Sequence, residues 1–191
     1  MGNYPHYFIA IPLPETIQEQ FAEWQSQLMK HIPLKRWYDK RDFHITLKFL
    51  GPVSDNQLTD LSRGLSDLEL HAPFSLRVGK VGTFGSRKHP RVVWAGVEES
   101  EPLFLLKQTV ENVTEMAGFP KENRPYRPHI TLGKRWDNTN KKDMTEILAS
   151  IQQQYRDIFT MEVAKAVLYQ VEPEKKQKYK PVHTYSLLGK E

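Results

Sequence analysis

The sequence His-Ile-Thr-Leu occupies residues 44–47 and returns, residue for residue, at 129–132. The offset between the copies is 129 − 44 = 85 residues, a little under half of the 191 residues. On a β-strand, alternate side chains point to opposite faces, so the histidine and threonine of each copy share one face, and the isoleucine and leucine share the other. The repeat therefore predicts two strands that each pack an apolar face on a core and present an imidazole and a hydroxyl to a cleft.

Apolar periodicity predicts the elements around the two tetrads. In chain order these are strand 7–13, helix 15–31, a strand or loop at 37–38, strand 43–50, helix 54–68, strands 74–81 and 91–97 as a hairpin, helix 101–118, a strand from 129 to 136, helix 142–155, and strands 159–172 and 179–188. Ser54 and Gln57 have the spacing of a capping box at the start of the second helix.

This order predicts an internally duplicated α+β fold, because each half holds a tetrad strand, a helix and then further strands. Two sheet-and-helix lobes would face each other, with antiparallel sheets lining a central groove and helices outside. No stretch is long enough to serve as a linker between independent domains, so residues 1–191 are expected to form one domain of two intertwined lobes.

Composition favours a cytoplasmic protein. The chain has no cysteine, which excludes disulfides, thiolate metal ligands and a cysteine nucleophile. Its N-terminus lacks the basic start and apolar middle of a signal peptide, and no apolar run approaches the roughly 20 residues of a membrane span. The formal charge of +4 is compatible with an anionic ligand but does not establish one. We expect no membrane contact and no obligate protein partner.

Two histidines on facing strands suit the cleavage of a phosphodiester. Imidazole titrates near neutral pH, so one histidine can take a proton from the attacking oxygen while the other gives a proton to the leaving oxygen. The threonine hydroxyls, Thr46 and Thr131, can donate hydrogen bonds to the phosphate oxygens. We expect neither a metal nor a cofactor, since no Asp/Glu/His cluster of the kind that binds metals is evident.

Flanking residues supply candidates for binding an anionic nucleotide. Strict alternation places Arg127 and Lys48 on the same faces as the two histidines, where each would contact phosphate. The copies differ here, since Asp42 precedes the first tetrad where Arg127 precedes the second. Among the aromatic residues near the tetrads, Phe84 and Trp136 lie close to loop ends and are the best candidates for stacking on a base.

The paired tetrads resemble the signature of the 2H phosphoesterase superfamily. Within it, three stretches are similar to the RNA 2′,3′-cyclic phosphodiesterases, once called 2′-5′ RNA ligases: Tyr-Phe-Ile-Ala-Ile at 7–11, His-Ile-Thr-Leu-Lys-Phe-Leu-Gly at 44–51, and Tyr-Arg-Pro-His-Ile-Thr-Leu-Gly at 126–133. Residues 91–97 also resemble the strand that follows the variable loop of the family. The likeness covers roughly residues 7 to 136.

This resemblance implies a bilobal fold that hydrolyses RNA 2′,3′-cyclic phosphates to 2′-phosphates without ATP or metal. It assigns His44 as proton donor, His129 as proton acceptor, Thr46 and Thr131 as phosphate ligands, and Arg127 as the basic residue before the second tetrad. The near-symmetric sequence by itself does not assign the acid and the base. Two alternatives stay open: ATP-independent joining of RNA ends through a 2′-5′ bond at the same site, and a non-catalytic RNA-binding module.

Overall fold

Nine strands and four α-helices are found in residues 3–190, the part of the chain that the computed structural model describes. In chain order they are β1 (His6–Pro12), α1 (Glu15–Leu28), β2 (Leu34–Trp37), β3 (His44–Pro52), α2 (Asp55–Gly64), β4 (Phe74–Gly85), β5 (Pro90–Val97), α3 (Glu101–Met116), β6 (His129–Trp136), α4 (Thr145–Gln154), β7 (Ile158–Val163), β8 (Lys165–Val171) and β9 (Tyr179–Ser186). Two short 3₁₀ helices lie at Lys40–Asp42 and Leu65–Leu70.

The capping box predicted at the start of α2 is confirmed. The backbone N–H of Gln57 donates to the Ser54 hydroxyl at 3.4 Å, and the backbone N–H of Ser54 donates to Oε1 of Gln57 at 3.1 Å. These bonds satisfy donors that the first turn of a helix leaves unpaired, and so they fix where α2 begins. The helix then tightens into the 3₁₀ segment Leu65–Leu70.

The prediction of one long strand over 159–172 is wrong, because the chain breaks at Ala164 into β7 and β8. The two pieces pair with different partners: β7 pairs with β4, whereas β8 pairs with β1 and β9. Apolar residues alternate on both sides of the break, so periodicity alone does not reveal it. The chain passes from one side of the molecule to the other at this point.

All strands belong to a single antiparallel sheet in the order β7-β4-β5-β6-β3-β1-β8-β9, with β2 also paired to β6. Its centre is narrow, since β3 and β6 are joined by one residue pair, Ile45 with Ile130. This join divides the sheet into a first half (β3, β1, β8, β9) and a second half (β7, β4, β5, β6, with β2). The tetrad strands therefore lie side by side at the middle.

The four helices cover the outer side of the sheet. α3 contacts β3 and α2, while α1 contacts β6 and α4 contacts β4. The apolar tetrad residues point toward these helices, and Ile45 and Ile130 are both 0% exposed. The predicted α+β class is confirmed, with antiparallel strands of two halves lining a groove and helices outside. None of the helices in residues 3–190 is long and apolar enough to cross a membrane.

Each half combines strands from the N-terminal and the C-terminal part of the chain, since β1 and β3 share a half with β8 and β9 while β4 and β5 share the other with β6 and β7. Successive elements also cross between the halves: β1 is in the first half, but α1, which follows it, contacts β6 in the second. The division into one domain of two intertwined lobes stays a prediction, which this topology supports.

Candidate active site

The join between β3 and β6 brings the two tetrads together. Ile45 pairs with Ile130 in antiparallel orientation. In such a pair, the residue before one partner faces the residue after the other, so each tetrad histidine lies beside the threonine of the other copy. Both histidines and both threonines are partly exposed, on the face opposite the buried isoleucines. The local two-fold arrangement therefore gathers two imidazoles and two hydroxyls at the floor of the groove.

Both histidines are held in the same way. Nδ1 of His44 donates to the carbonyl oxygen of Asp42 at 2.7 Å, and Nδ1 of His129 donates to the carbonyl oxygen of Arg127 at 2.7 Å. A carbonyl oxygen only accepts, so Nδ1 carries the hydrogen in each ring and Nε2 is the basic nitrogen of the neutral form. Nε2 of His44 lies 3.0 Å from Oγ1 of Thr46. The strand backbone thus fixes both tautomers.

Burial lowers the pKa of both histidines. The pKa of His44 falls to about 4, mainly because its surroundings desolvate the charged ring, and the nearby His129 and Lys134 lower it further. The hydrogen bond to the Asp42 carbonyl acts in the opposite direction. The pKa of His129 is also lowered, again mainly by burial. Both imidazoles are therefore neutral at pH 7 while the groove holds no anion.

Aromatic rings pack against each imidazole. The ring of His44 lies 4.9 Å from the ring of Phe8 and meets Tyr179 edge-on at 5.2 Å. The ring of His129 meets Phe84 edge-on at 4.9 Å. Phe8 lies on β1, which is next to β3, whereas Tyr179 lies at the start of β9 and Phe84 lies on β4, two strands from β6. These rings exclude water from one side of each imidazole, in agreement with the lowered pKa values.

Asp42 supports the first histidine with both its backbone and its side chain. Its carbonyl holds His44, and its buried carboxylate accepts hydrogen bonds from the backbone N–H groups of Lys178 at 2.8 Å and Tyr179 at 3.3 Å. The start of β9 is thereby tied to the tetrad. Arg127, at the equivalent position of the second copy, is exposed and lines a cavity beside His129 instead.

Each tetrad strand carries a β-bulge at the leucine of the tetrad. On β1, the consecutive residues Ile9 and Ala10 pair with Lys48 and Thr46, which skips the leucine between them. β5 skips the leucine of the second copy in the same way. A bulge inserts one residue without a partner, so the alternation of side chains reverses beyond it. The fourth residue after each histidine consequently turns away from the groove.

The prediction that Lys48 faces the phosphate is therefore wrong. Lys48 is 2% exposed, and its ammonium donates to Oε2 of Glu111 at 2.6 Å and to the carbonyl oxygen of Pro120 at 2.8 Å. Strict alternation placed it on the face of the histidine, but the bulge turns it into the interior. The fifth residue after each histidine faces the groove instead, which gives Phe49 in one half and Lys134 in the other.

Two cavities open on either side of the tetrads. The first, here called the His44 cavity, has a volume of about 600 Å³ and is lined by His44, Thr46 and Thr131 among others. The second, the His129 cavity, has a volume of about 620 Å³ and is lined by Thr46 and His129. Both volumes are typical of small-ligand sites. Within residues 3–190, no group of three or more His, Asp or Glu side chains is placed to bind a metal ion.

Two of the flanking candidates line the His129 cavity. Phe84 and Arg127 both contribute to its walls, so their roles in stacking and in phosphate binding remain predictions at a position that suits them. Trp136 is different: it is 8% exposed, packs on the ring of His89 at 5.0 Å and lines neither cavity. The prediction that Trp136 stacks on a base is wrong, because the end of β6 turns it into the core.

Arg36 and Lys134 of the site were not identified from the sequence, whereas Tyr38 and Tyr126 belong to the aromatic residues near the tetrads that could stack on bases. Arg36, Tyr38 and Lys134 line the His44 cavity, and the hydroxyl of Tyr126 donates to the carbonyl oxygen of Thr46 at 2.9 Å. Arg36 lies on β2, just before the residues 37–38 for which a short strand or loop was predicted. Lys134 faces the groove only because of the bulge on its strand. No turn residue common to both copies marks the bulge in the sequence.

The chain matches the family model described as LigT-like phosphoesterase twice, over residues 11–94 and 96–177. The two matches place the tetrads identically, because each begins 33 residues before its histidine (44 − 11 = 33 and 129 − 96 = 33). The internal duplication predicted from the four-residue repeat thus extends over most of the chain.

Curated relatives and solved structures agree with this match. The chain is 34% identical to an RNA 2′,3′-cyclic phosphodiesterase of Geobacillus stearothermophilus over 185 residues, which are 96% of this chain and 58% of that protein. It is 36% identical to the RNA 2′,3′-cyclic phosphodiesterase of Bacillus subtilis over 136 residues, which are 69% of this chain and 72% of that protein. The chain thus spans less than two thirds of the Geobacillus relative.

Two solved structures share the fold over nearly their whole length. Escherichia coli LigT in complex with 3′-AMP superposes with a TM-score of 0.75 at 26% identity, covering 96% of this chain and 98% of that one. A Thermus thermophilus protein gives a TM-score of 0.77 at 26% identity, covering 97% and 100%. The chain therefore belongs to the LigT-like phosphoesterase family of the 2H superfamily, as its two tetrads predicted.

Proposed function

We propose that this chain hydrolyses the 2′,3′-cyclic phosphodiester at RNA ends and leaves a 2′-phosphomonoester. One observation carries the proposal: His44 and His129 are held alike by their Nδ1–H groups, in one groove, with Nε2 as the basic nitrogen of each. Paired bases of this kind suit a displacement at phosphorus that needs one proton removed and another supplied. The names of the curated relatives support the same activity.

The reaction needs two proton transfers. Nε2 of His129 removes a proton from water, whose oxygen attacks the phosphorus of the cyclic phosphate. The bond between phosphorus and O3′ breaks, and the imidazolium of His44 donates its Nε2 proton to O3′. The products are a 3′-hydroxyl and a 2′-phosphomonoester, so atoms and protons balance. The assignment of donor and acceptor follows the family resemblance, because the two histidines are bound to the backbone identically.

Hydroxyls and a guanidinium are available to hold the phosphate. Thr46 and Thr131 line the His44 cavity beside the imidazoles, and Arg127 lines the His129 cavity. Hydroxyl donors aimed at the non-bridging oxygens stabilise the charge that builds up there during attack. Arg127 adds a permanent positive charge with a geometry that fits phosphate.

The lowered pKa values make the proton donor depend on the substrate. In the empty groove, burial favours neutral imidazole at both positions. A phosphate anion placed between the rings favours the imidazolium form, because an opposite charge at short range raises a histidine pKa. Substrate binding therefore favours uptake from solvent of the proton that the donor histidine later gives to O3′.

The proposal includes the expected setting of the enzyme. RNA ends and cyclic nucleotides would be its substrates, and a cytoplasmic location follows from RNA metabolism inside the cell. The scheme uses no cofactor, metal, membrane or protein partner, because the two imidazoles supply both proton transfers.

The test is a reaction with an oligonucleotide that ends in a 2′,3′-cyclic phosphate, carried out in EDTA. We expect complete conversion to the 2′-phosphate, identified by chromatography against 2′- and 3′-phosphate standards. A 3′-phosphate product, or a requirement for added metal, would contradict the mechanism. Adding RNA with a 5′-hydroxyl end distinguishes joining from hydrolysis, since joining yields a longer product with a 2′-5′ bond.

Variants locate the activity in the tetrads. His44→Ala and His129→Ala are each expected to abolish hydrolysis, while Thr46→Val and Thr131→Val lower kcat by about 10- to 100-fold. The control is His31→Ala, since His31 is exposed just after α1 and lines neither cavity. Circular dichroism checks that each variant is folded. If the wild type binds RNA without hydrolysing it, and the binding survives the loss of both histidines, the chain is instead an RNA-binding module.

A further inference from the structure

The His44 cavity contains two cations that the proposed mechanism does not use. Arg36 on β2 is the register partner of Lys134 on β6, and both side chains line the cavity with His44. Cζ of Arg36 lies 4.9 Å from the ring centroid of Tyr38, and Nζ of Lys134 lies 5.6 Å from the same centroid. One aromatic ring therefore holds both cations on the same wall.

These cations lack carboxylate partners within residues 3–190. Neither Arg36 nor Lys134 forms an ion pair there, and no Asp or Glu of that part of the chain lines the cavity. The neighbouring Lys35 provides a contrast, since it is exposed and its ammonium lies 3.6 Å from Asp137. Two like charges side by side repel each other. An anion bound between Arg36 and Lys134 therefore offsets the electrostatic repulsion between them.

Their position is next to the reacting phosphate and distinct from it. Lys134 follows Thr131 by three residues on β6, which separates the two Cα atoms by at most about 10 Å along the strand. The threonines and histidines surround the join of β3 and β6, whereas the two cations lie farther along the cavity wall. The His44 cavity is lined by residues of both groups. Its walls include the aromatic residues Phe8 and Tyr179, and its volume is about 600 Å³.

The chemistry of an RNA end restricts which anion can lie there. A 2′,3′-cyclic phosphate occurs only at the 3′ end of a strand, so its single phosphate neighbour is the phosphodiester on the 5′ side of the terminal nucleoside. A terminal nucleoside in an aromatic cavity of this size would place that phosphodiester beyond its ribose, on the side away from the tetrads.

We propose that Arg36 and Lys134 form a second anion subsite, which binds the phosphodiester on the 5′ side of the terminal nucleoside and makes oligonucleotide ends the preferred substrate class over cyclic mononucleotides. This inference rests on the proposed function. It assigns the His44 cavity to the terminal nucleoside and its 5′ neighbour, and it gives Arg36 and Lys134 a role in substrate binding.

The experiment compares two dinucleotides that both end in a 2′,3′-cyclic phosphate. One has an ordinary phosphodiester between its nucleosides, and the other has an uncharged methylphosphonate at that linkage. The wild-type chain is expected to hydrolyse the charged dinucleotide with a kcat/KM about tenfold higher, the effect of one charge-assisted contact. In Arg36→Gln and Lys134→Gln this ratio falls toward one, while the matched control Lys35→Gln keeps the wild-type ratio.

Each result decides the proposal. A wild-type ratio near one overturns the second subsite without any variant, and so does a ratio that persists in both Arg36→Gln and Lys134→Gln. Equal losses on both dinucleotides leave the ratio unchanged and assign the cations to the cleaved phosphate instead. The cyclic mononucleotide separates the two proposals: if the wild type hydrolyses neither it nor the dinucleotides, the proposed function itself fails.

Discussion

Lys107 and Gln25 make equivalent hydrogen bonds in the two halves of the molecule. Nζ of Lys107 donates to the carbonyl oxygen of Leu47 at 2.7 Å, and Nε2 of Gln25 donates to the carbonyl oxygen of Leu132 at 2.8 Å. These leucines are the residues at which the two bulges occur, so β1 and β5 do not pair with them, although the carbonyl of Leu132 also accepts from the backbone N–H of Tyr38 at 3.1 Å. A buried side chain from the helix behind each tetrad strand thus holds the bulge that directs the site.

Replacing Gln25 tests how much one bulge contact contributes. Gln25→Leu removes donors to the carbonyls of Leu132 and Tyr38, each 2.8 Å away, and we expect it to lower the free energy of unfolding by about 2 kcal/mol. Urea denaturation followed by circular dichroism measures this. Gln20→Leu, at an exposed position of the same helix, serves as the control. Equal stability of the two variants would show that the bulge needs no such donor.

Lys48 is expected to act on stability and not on substrate binding. Lys48→Met removes a cation from the partly buried Glu111 and a donor from the carbonyl of Pro120, so we expect a loss of about 2 kcal/mol in unfolding free energy. KM for a cyclic mononucleotide should stay within about twofold of the wild type, because Lys48 lies outside the groove. A large rise in KM with unchanged stability would return Lys48 to the phosphate site.

Stability should depend on pH through His44. Its pKa is about 4 in the folded chain and near 6.5 in the unfolded one, so the unfolded state binds more protons between these values. This contribution is therefore fully present above pH 6.5 and is lost as the pH falls toward 4. Urea midpoints measured across this window should fall less steeply for His44→Gln than for the wild type. Parallel curves for the two proteins would refute the assignment.

Phe84 and Trp136 should give opposite results although both were candidates for base stacking. Phe84→Leu is expected to lower kcat about tenfold, because its ring packs edge-on against the imidazole of His129 at 4.9 Å and holds it in place, whereas the terminal base lies in the His44 cavity. Trp136→Leu is expected to leave kcat unchanged and to lower stability by about 3 kcal/mol, because its ring is buried. Steady-state kinetics with a dinucleotide that ends in a 2′,3′-cyclic phosphate measure the effect on catalysis. Thermal unfolding measures the effect on stability. A kinetic effect confined to Trp136 would reverse the assignment made from the structure.

The features that rest on short sequence patterns were predicted correctly. The four-residue repeat indicated the duplication, the hairpin of β4 and β5 followed from alternation and a polar loop, and Ser54 with Gln57 located the start of α2. Each of these is specified by residues near one another in the chain, where backbone geometry and hydrogen-bond requirements act directly. The face of a strand up to its first irregularity is specified in the same way.

The features that depend on irregular pairing were not predicted. The bulges that turn Lys48 inward and Lys134 outward arise from contacts between distant strands, and no glycine or proline common to both copies marks them. The break at Ala164 had one signal, since its counterpart 85 residues earlier is Gly79, with a φ of 146°, followed by Lys80 with a φ of 58°. An irregularity in one copy therefore points to the same position in the other.

The exchange of strands between the halves has a consequence for the origin of this architecture. A cut between the two family matches, after residue 95, leaves neither piece with a complete half-sheet, because the first half needs β8 and β9 and the second needs β6 and β7. The two repeats are thus related as partners in a domain-swapped homodimer. An ancestral polypeptide of one repeat would have assembled the same groove from two copies, each contributing one histidine.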